Sequence, residues 1–221
     1  MAKRFESAKE LKDELSKCPW EKWFEIERYR NRESNLKTII HRSVGGSTLK
    51  AFPNLPRHPS TVFRDWASNA LDESRLKAFW NSTSKTEYRH WLSPLSQNLR
   101  ASWKKKMKKD LSIGHSLKLL NLLAKGLYSY KDVPKKYLPT LAWYLEVPLD
   151  RFTIQAVANC VRDFPGGSTI GYVRRNASMG FIENLEMYQA FQTGIRSLTS
   201  EAKVPPIALD IAVWGVQETT D

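Results

Sequence analysis

Two residues in this chain have side chains suited to covalent chemistry and surroundings that do not explain them at once. Lys118 falls in the first turn of HSLKLLNLLAKGL, a segment otherwise almost wholly apolar. Burial there disfavours an ammonium, and so does the positive end of the helix dipole. Its pKa is therefore expected to fall, which makes some neutral amine available as a nucleophile. The plainer alternative is a lysine whose stem lies on apolar surface while its head reaches water. Lys125, seven residues on and on roughly the same face, is the competing cation. Asp150 opens the apolar segment DRFTIQAV after VPL, where an aspartate ordinarily serves as a helix N-cap.

A third feature precedes the apolar helix. The run KKKMKK places Lys104, Lys105, Lys106, Lys108 and Lys109 within six residues, just before LSIG. A lysine run is usually a solvated face. Here the position of Gly114 suggests a tight turn between two helices, with backbone N–H groups aimed outward at a helix N-terminus that can hold one phosphate. His115 and Ser116 follow and complete the expected phosphate-contact set, and the lysines add a salt-dependent attraction.

These residues need a scaffold, and the chain can supply one. At 221 residues, with 41% apolar and 11% aromatic positions and eight tryptophans, it can bury a core. Lys and Arg outnumber Asp and Glu by 35 to 23, a formal charge of +12 that favours a polyanionic partner, nucleic acid first. Cys18 and Cys160 stand far apart, so neither a disulfide framework nor a metal cluster is suggested, and His41, His58, His90 and His115 are too scattered for a metal site. The charged N-terminus has no apolar signal core, and no run approaches the length of a membrane span. A cytoplasmic, monomeric protein with no cofactor and no membrane partner is expected.

The hydrophobic pattern is helical throughout, with no competing strand alternation. Residues 3–31 read as two amphipathic helices parted at Pro19. Residues 1–42 are expected as an N-terminal helical arm, 43–59 as a Gly- and Pro-rich loop, and 60–221 as a helical core with its hairpin near 108–125. Within the core, Ser60 or Thr61 is a candidate cap, and short helices are expected at 76–80 and 88–92. A longer helix should follow Pro94, a buried one should span 117–128, and two more should cover 180–200 and 205–216. PGGSTIG at 165–171 reads as a turn and not as a phosphate loop.

Four elements taken in order resemble the helix-hairpin-helix DNA glycosylases, and most of all the compact archaeal-type 8-oxoguanine glycosylases. They are a lysine opening an apolar helix at Lys118, an aspartate 32 residues later in VPLD at Asp150, an intervening linker and helix, and a closing VPPIALDIAVW. The likeness covers roughly residues 110–216. LSIGHS departs from the usual LPGxG hairpin, and the region before residue 100 matches only as generic helices. The resemblance implies an all-α glycosylase-like domain with Lys118 and Asp150 as catalytic residues. It also implies that Asp210 and Trp214, one helical turn apart, help form the base pocket.

The mechanism so implied flips one nucleotide out of double-stranded DNA. Lys118 then attacks the sugar C1′ while Asp150 stabilises the developing positive charge, and the resulting imine can lead on to strand cleavage without a metal. Two substrates are open: oxidised guanine, which makes a DNA repair enzyme, or a bulky base such as the glucosylated hydroxymethylcytosine of phage DNA, which makes an antiviral defence enzyme. The rival from another class is a non-catalytic DNA-binding or regulatory protein on the same scaffold. An RNA-binding helical protein ranks last, since no RNA-recognition motif accompanies the charge.

Overall fold

A computed structural model describes residues 4–45, 48, 55–161 and 166–218. Residues 46, 47 and 49–54 of the expected 43–59 loop lie outside the described residues. So do 1–3 of the expected arm and 162–165 and 219–221 of the expected core. Among the described residues the fold is all-helical, with eleven α-helices, short 3-10 turns and no strand.

The helices are α1 (Ala8–Ser16), α2 (Trp20–Arg30), α3 (Leu36–Ser43), α4 (Pro59–Ala70), α5 (Glu73–Trp80), α6 (Lys85–Met107), α7 (Ile113–Tyr128), α8 (Leu138–Tyr144), α9 (Arg151–Val157), α10 (Leu185–Glu201) and α11 (Ile207–Glu218). Their starts follow from side chains that accept from otherwise orphaned backbone N–H groups. Ser7, Asn35, Asp72, Ser84, Ser112 and Asn184 cap α1, α3, α5, α6, α7 and α10 in this way. Neither Ser60 nor Thr61 caps α4, which Pro59 opens instead, a position that needs no N–H.

The expected break at Pro94 does not occur: 88–92 and the stretch after Pro94 form the single helix α6. Pro94 lies on the exposed side, where the carbonyl it leaves unpaired can meet water. The buried stripe Tyr88, Trp91, Leu92, Leu95, Leu99, Trp103 and Met107 continues across it and holds the helix together.

The central helix is α7. It packs against α3, α6, α8, α10 and the 3-10 turn Met179–Phe181. The N-terminal helices close on the other end of the chain, α1 against α10 and α11, and α2 against α11. Gly114 is not the turn residue the sequence suggests. The turn runs through Lys108, which takes the left-handed conformation at φ 54°, while Gly114 sits buried in the first turn of α7. Its missing side chain is a packing requirement, because a Cβ there would stand 2.5 Å from the Met179 carbonyl oxygen and 2.9 Å from that of Ile182. Backbone atoms cannot step aside cheaply. Gly114→Ala is therefore expected to lower stability by about 1–3 kcal/mol, read as a reduced Tm in thermal unfolding, and an unchanged Tm would contradict this packing.

A buried polar chain fixes the segment that delivers Asp150. Tyr88 Oη donates to Asn121 Oδ1 at 3.0 Å, Asn121 Nδ2 to Tyr188 Oη at 2.6 Å, and Tyr188 Oη to Glu146 Oε2 at 2.7 Å. Arg89 Nε donates to the other Glu146 oxygen at 2.9 Å. One residue on, Gln192 grips the Val147 backbone from both sides, accepting from its N–H at 3.0 Å and donating to its carbonyl at 2.8 Å. Connected buried networks rigidify what they hold, here the strap 146–150 leading into α9.

Candidate active site

Asp150 divides its work between its two oxygens. Oδ1 accepts from the backbone N–H of Phe152 at 2.9 Å and of Thr153 at 3.0 Å, while Thr153 Oγ1 accepts from the Asp150 N–H at 2.8 Å. This reciprocal capping box starts α9. Oδ2 lies 3.7 Å from Lys118 Nζ, an ion pair too long to be a hydrogen bond. The plain explanation for Asp150, a cap, is thus correct and leaves half of its carboxylate over. The plain explanation for Lys118 fails, since the side chain does not snorkel: both residues are only 6% exposed.

The burial sets their protonation. Desolvation pushes Lys118 below the ordinary lysine value of 10.5, against the attraction of Asp150 and then Asp210. Desolvation likewise raises Asp150 above its ordinary 3.8; Lys118 opposes the rise and Asp210 adds to it. Both shifts favour neutral forms; for Lys118 that is the condition a nucleophile needs, while for Asp150 it opposes ionisation.

The closing helix α11 brings Asp210 to the same centre, 2% exposed. Its Oδ2 accepts from Lys125 Nζ at 2.6 Å, and its Oδ1 is buried with no hydrogen-bond partner. Lys125, the competing cation of the sequence, is therefore engaged elsewhere, and its ammonium also stands 4.3 Å above the Trp23 ring. Trp214, one turn beyond Asp210, is 40% exposed and meets Phe152 edge-on with ring centroids 4.7 Å apart. The residues expected to act together thus converge from α7, α9 and α11.

Sequence reasoning missed Trp23 and the hollow beside it. A cavity of about 610 Å³ opens between α2, α3 and α7, lined among others by Trp23, Glu27, Asn31, Arg42, Ser43 and Lys125. Arg42 is held in place there, donating to Asn31 Oδ1 at 3.1 Å and Ser34 Oγ at 3.3 Å. Leu122 and Lys125 line the cavity from the α7 face that carries Lys118, about 6 and 10 Å further along the helix axis. Nothing in the hydrophobic pattern of α2 marks this hollow, because its lining mixes apolar, polar and charged residues drawn from three helices.

The expected phosphate-contact set divides. Lys104, Lys105, Lys108 and Lys109 are exposed at the end of α6 and in the turn, Lys106 is half-buried, and Lys104 pairs with Asp110 at 3.1 Å. His115 is held in the neutral form, lowered to about 4 by burial and by the Lys118 charge, and shares a 2.6 Å hydrogen bond with Ser112 Oγ. Ser116 is fully buried, its hydroxyl shared with Ser96 Oγ and the Ile113 carbonyl at 2.9 Å each, so its side chain is a packing group and not a surface contact. Gly114, as above, is buried too. Of the expected phosphate-contact set, the lysines are the members that stay most exposed.

Among the described residues no group of His, Cys, Asp and Glu is placed to hold a metal ion, and no helix is long and apolar enough to cross a membrane. The chain matches no protein-family model, no curated protein and no solved structure.

Proposed function

We propose that the protein is a DNA glycosylase on a helix-hairpin-helix-like scaffold, with Lys118 as nucleophile and Asp150 as the carboxylate that stabilises the developing sugar cation. The observation that carries this reading is the buried Lys118–Asp150 pair, 3.7 Å apart and nearly sealed from solvent, delivered by two separate helices. A pair kept only for stability gains little from such burial, since desolvation offsets most of the attraction. A pair kept for chemistry gains a lysine that loses its proton readily.

In this reading a flipped nucleotide enters beside α7, α9 and α11, and the base lies against Trp214 and Asp210. The unpartnered Asp210 Oδ1 offers an acceptor for a base N–H. Lys118 attacks C1′ as the bond to the base breaks, and the departing base takes a proton. The sugar ring opens to an imine on Lys118, which allows strand cleavage to follow.

The cavity next to Lys125 favours the bulkier of the two substrate classes. This cavity of about 610 Å³ is open to solvent and is lined by none of Lys118, Asp150, Asp210 and Trp214, so a substituent that reaches past the base would occupy it, and an unsubstituted purine would not. A base carrying a sugar, as in glucosylated hydroxymethylcytosine, places hydroxyls among Glu27, Asn31 and Arg42 and a ring face near Trp23. The test is release of free base from three DNAs: unmodified, 8-oxoguanine-containing and glucosylated. Release from the glucosylated DNA alone supports this reading, release only from the 8-oxoguanine duplex reassigns it to repair, and release from none returns the protein to the class of non-catalytic DNA binders.

A further inference from the structure

A second cavity, of about 510 Å³, opens between α4, α5 and α6 and is lined by none of the residues proposed for catalysis. Arg75 of α5 and Lys105 and Lys106 of α6 line it together with Asn69, Asn98 and Ser102, and no acidic residue does. Trp66, only 4% exposed, walls one side, and its Nε1 donates to Asn98 Oδ1 at 2.7 Å. That bond leaves the donor end of the Asn98 amide for a ligand. Arg75 is steadied by a hydrogen bond from Nη1 to the Ala70 carbonyl at 2.6 Å. Asp72 Oδ2 lies 3.8 Å from the same nitrogen, but both side chains are exposed, and such a surface pair is weak enough to yield to another anion. Every charged group on the lining is thus a cation, and its amides and hydroxyl can donate as well. A ligand that is negative and only accepts hydrogen bonds fits these walls, as a phosphodiester does.

The cavity also divides the lysine run. Lys104 turns to Asp110 at 3.1 Å and Lys108 makes the left-handed turn into the hairpin, whereas Lys105 and Lys106 belong to the cavity. The two parts follow one another along α6. Asn98 and Lys108 are ten residues apart, roughly 15 Å of helix axis, which is the rise of about four base pairs. The cations come from two helices, and the space exceeds what one phosphate ion fills, so a run of linked phosphates matches it better than a lone ion. α4 and α5 lie before residue 100, where the family resemblance implies no site.

We propose that this cavity is a second contact for duplex DNA, taking the backbone that flanks the segment on the hairpin, so that one lysine run serves two stretches of phosphate. It rests on the double-stranded DNA partner of the reading above and is independent of base excision. Anisotropy with unmodified duplexes of graded length tests it. Once the growing number of binding registers is divided out, the parent's affinity should go on rising for about four base pairs beyond the length at which Arg75→Gln/Lys105→Gln/Lys106→Gln levels off. On long duplexes this variant should also flatten the slope of log affinity against log salt by about two to three. On the shortest duplexes the two proteins should bind alike, whereas Lys108→Gln/Lys109→Gln should bind short and long duplexes more weakly.

Equal Tm values check that the variants fold; Lys105→Glu, a single change at an exposed position, should show the same length dependence if the triple variant does not. The same length profile in parent and variant, or a loss of equal size at every length, overturns the proposal. So does a Tm rise in inorganic phosphate over chloride at equal ionic strength that the variant loses without any length effect, because the cavity then takes a small phosphate compound. Base release measured in parallel separates the two ideas. A length effect without release from any DNA sinks the glycosylase reading and leaves the second contact standing, whereas release by the parent with no length effect does the reverse.

Discussion

Lys118→Gln is expected to abolish the covalent adduct that borohydride traps between protein and substrate DNA, and to slow base release on the order of 10³-fold or more. Removal of a nucleophile should cost at least as much as loss of a general acid or base, which spans about 10² to 10⁴. Glutamine is the informative replacement because it keeps most of the stem and a polar, uncharged end on the side of Asp150 while losing nucleophilicity. The folded state should survive: Asp150 retains its two backbone donors through Oδ1, so its carboxylate is not left bare. Lys125→Gln serves as the contrast, since Lys125 is already engaged by Asp210 and Trp23. Adduct formation by Lys118→Gln at the parent's rate, or its loss in Lys125→Gln alone, would move the nucleophile to the other lysine.

Asp150→Asn carries the second large effect. An asparagine can still cap α9 through its Oδ1, so Tm should change little, whereas Asp150→Ala should lose a further ~1 kcal/mol from the missing cap. Base release, by contrast, should fall about 10²- to 10⁴-fold in Asp150→Asn with DNA affinity nearly unaltered, because the charge facing the sugar has gone. The pH dependence sharpens the assignment. The proposed reaction would need Lys118 neutral and Asp150 ionised, and both conditions are approached as pH rises, so the parent's rate should climb from the acid side.

Asp150 is the largest influence holding the proton on Lys118 against desolvation. Without its negative charge the lysine gives up that proton at lower pH, and the acid limb that belongs to Lys118 should move down. Single-turnover adduct formation followed across pH reads this directly. A limb displaced upward, or not at all, means that the two residues are not coupled in the way their 3.7 Å separation implies.

Much of this site was legible in the sequence because its members sit at helix starts, where patterns are sharp. Lys118 and Asp150 each open an apolar helix, and Asp210 and Trp214 share a helical face. The helical class followed from periodicity. The misreadings have physical causes. Pro94 did not break α6 because a proline whose lost bond faces water can be overridden by a continuous buried stripe. Gly114 gave the appearance of a turn because glycine serves both backbone freedom and close approach, and only the neighbouring carbonyl of Met179 tells them apart. Ser116 has the sequence position of a surface donor, yet Ser96, twenty residues earlier, satisfies it. Trp23 belongs to the centre through a contact more than a hundred residues away in sequence, which no local pattern encodes.

That last contact bears on how the protein comes into being. Trp23 arrives among the first helices, Lys118 and Asp150 midway, and Asp210 with the final one, so the centre closes only when α11 docks against α2 and α9. A chain still being synthesised holds its lysine and aspartate in water, where the amine keeps its proton and is inert. If Lys118 is the nucleophile proposed above, its reactivity arrives with the last helix rather than with the residue that carries it. The joining of such distant segments makes folding slow relative to a bundle of neighbouring helices, and on the proposed reading the same delay would keep half-made chains from forming adducts with DNA.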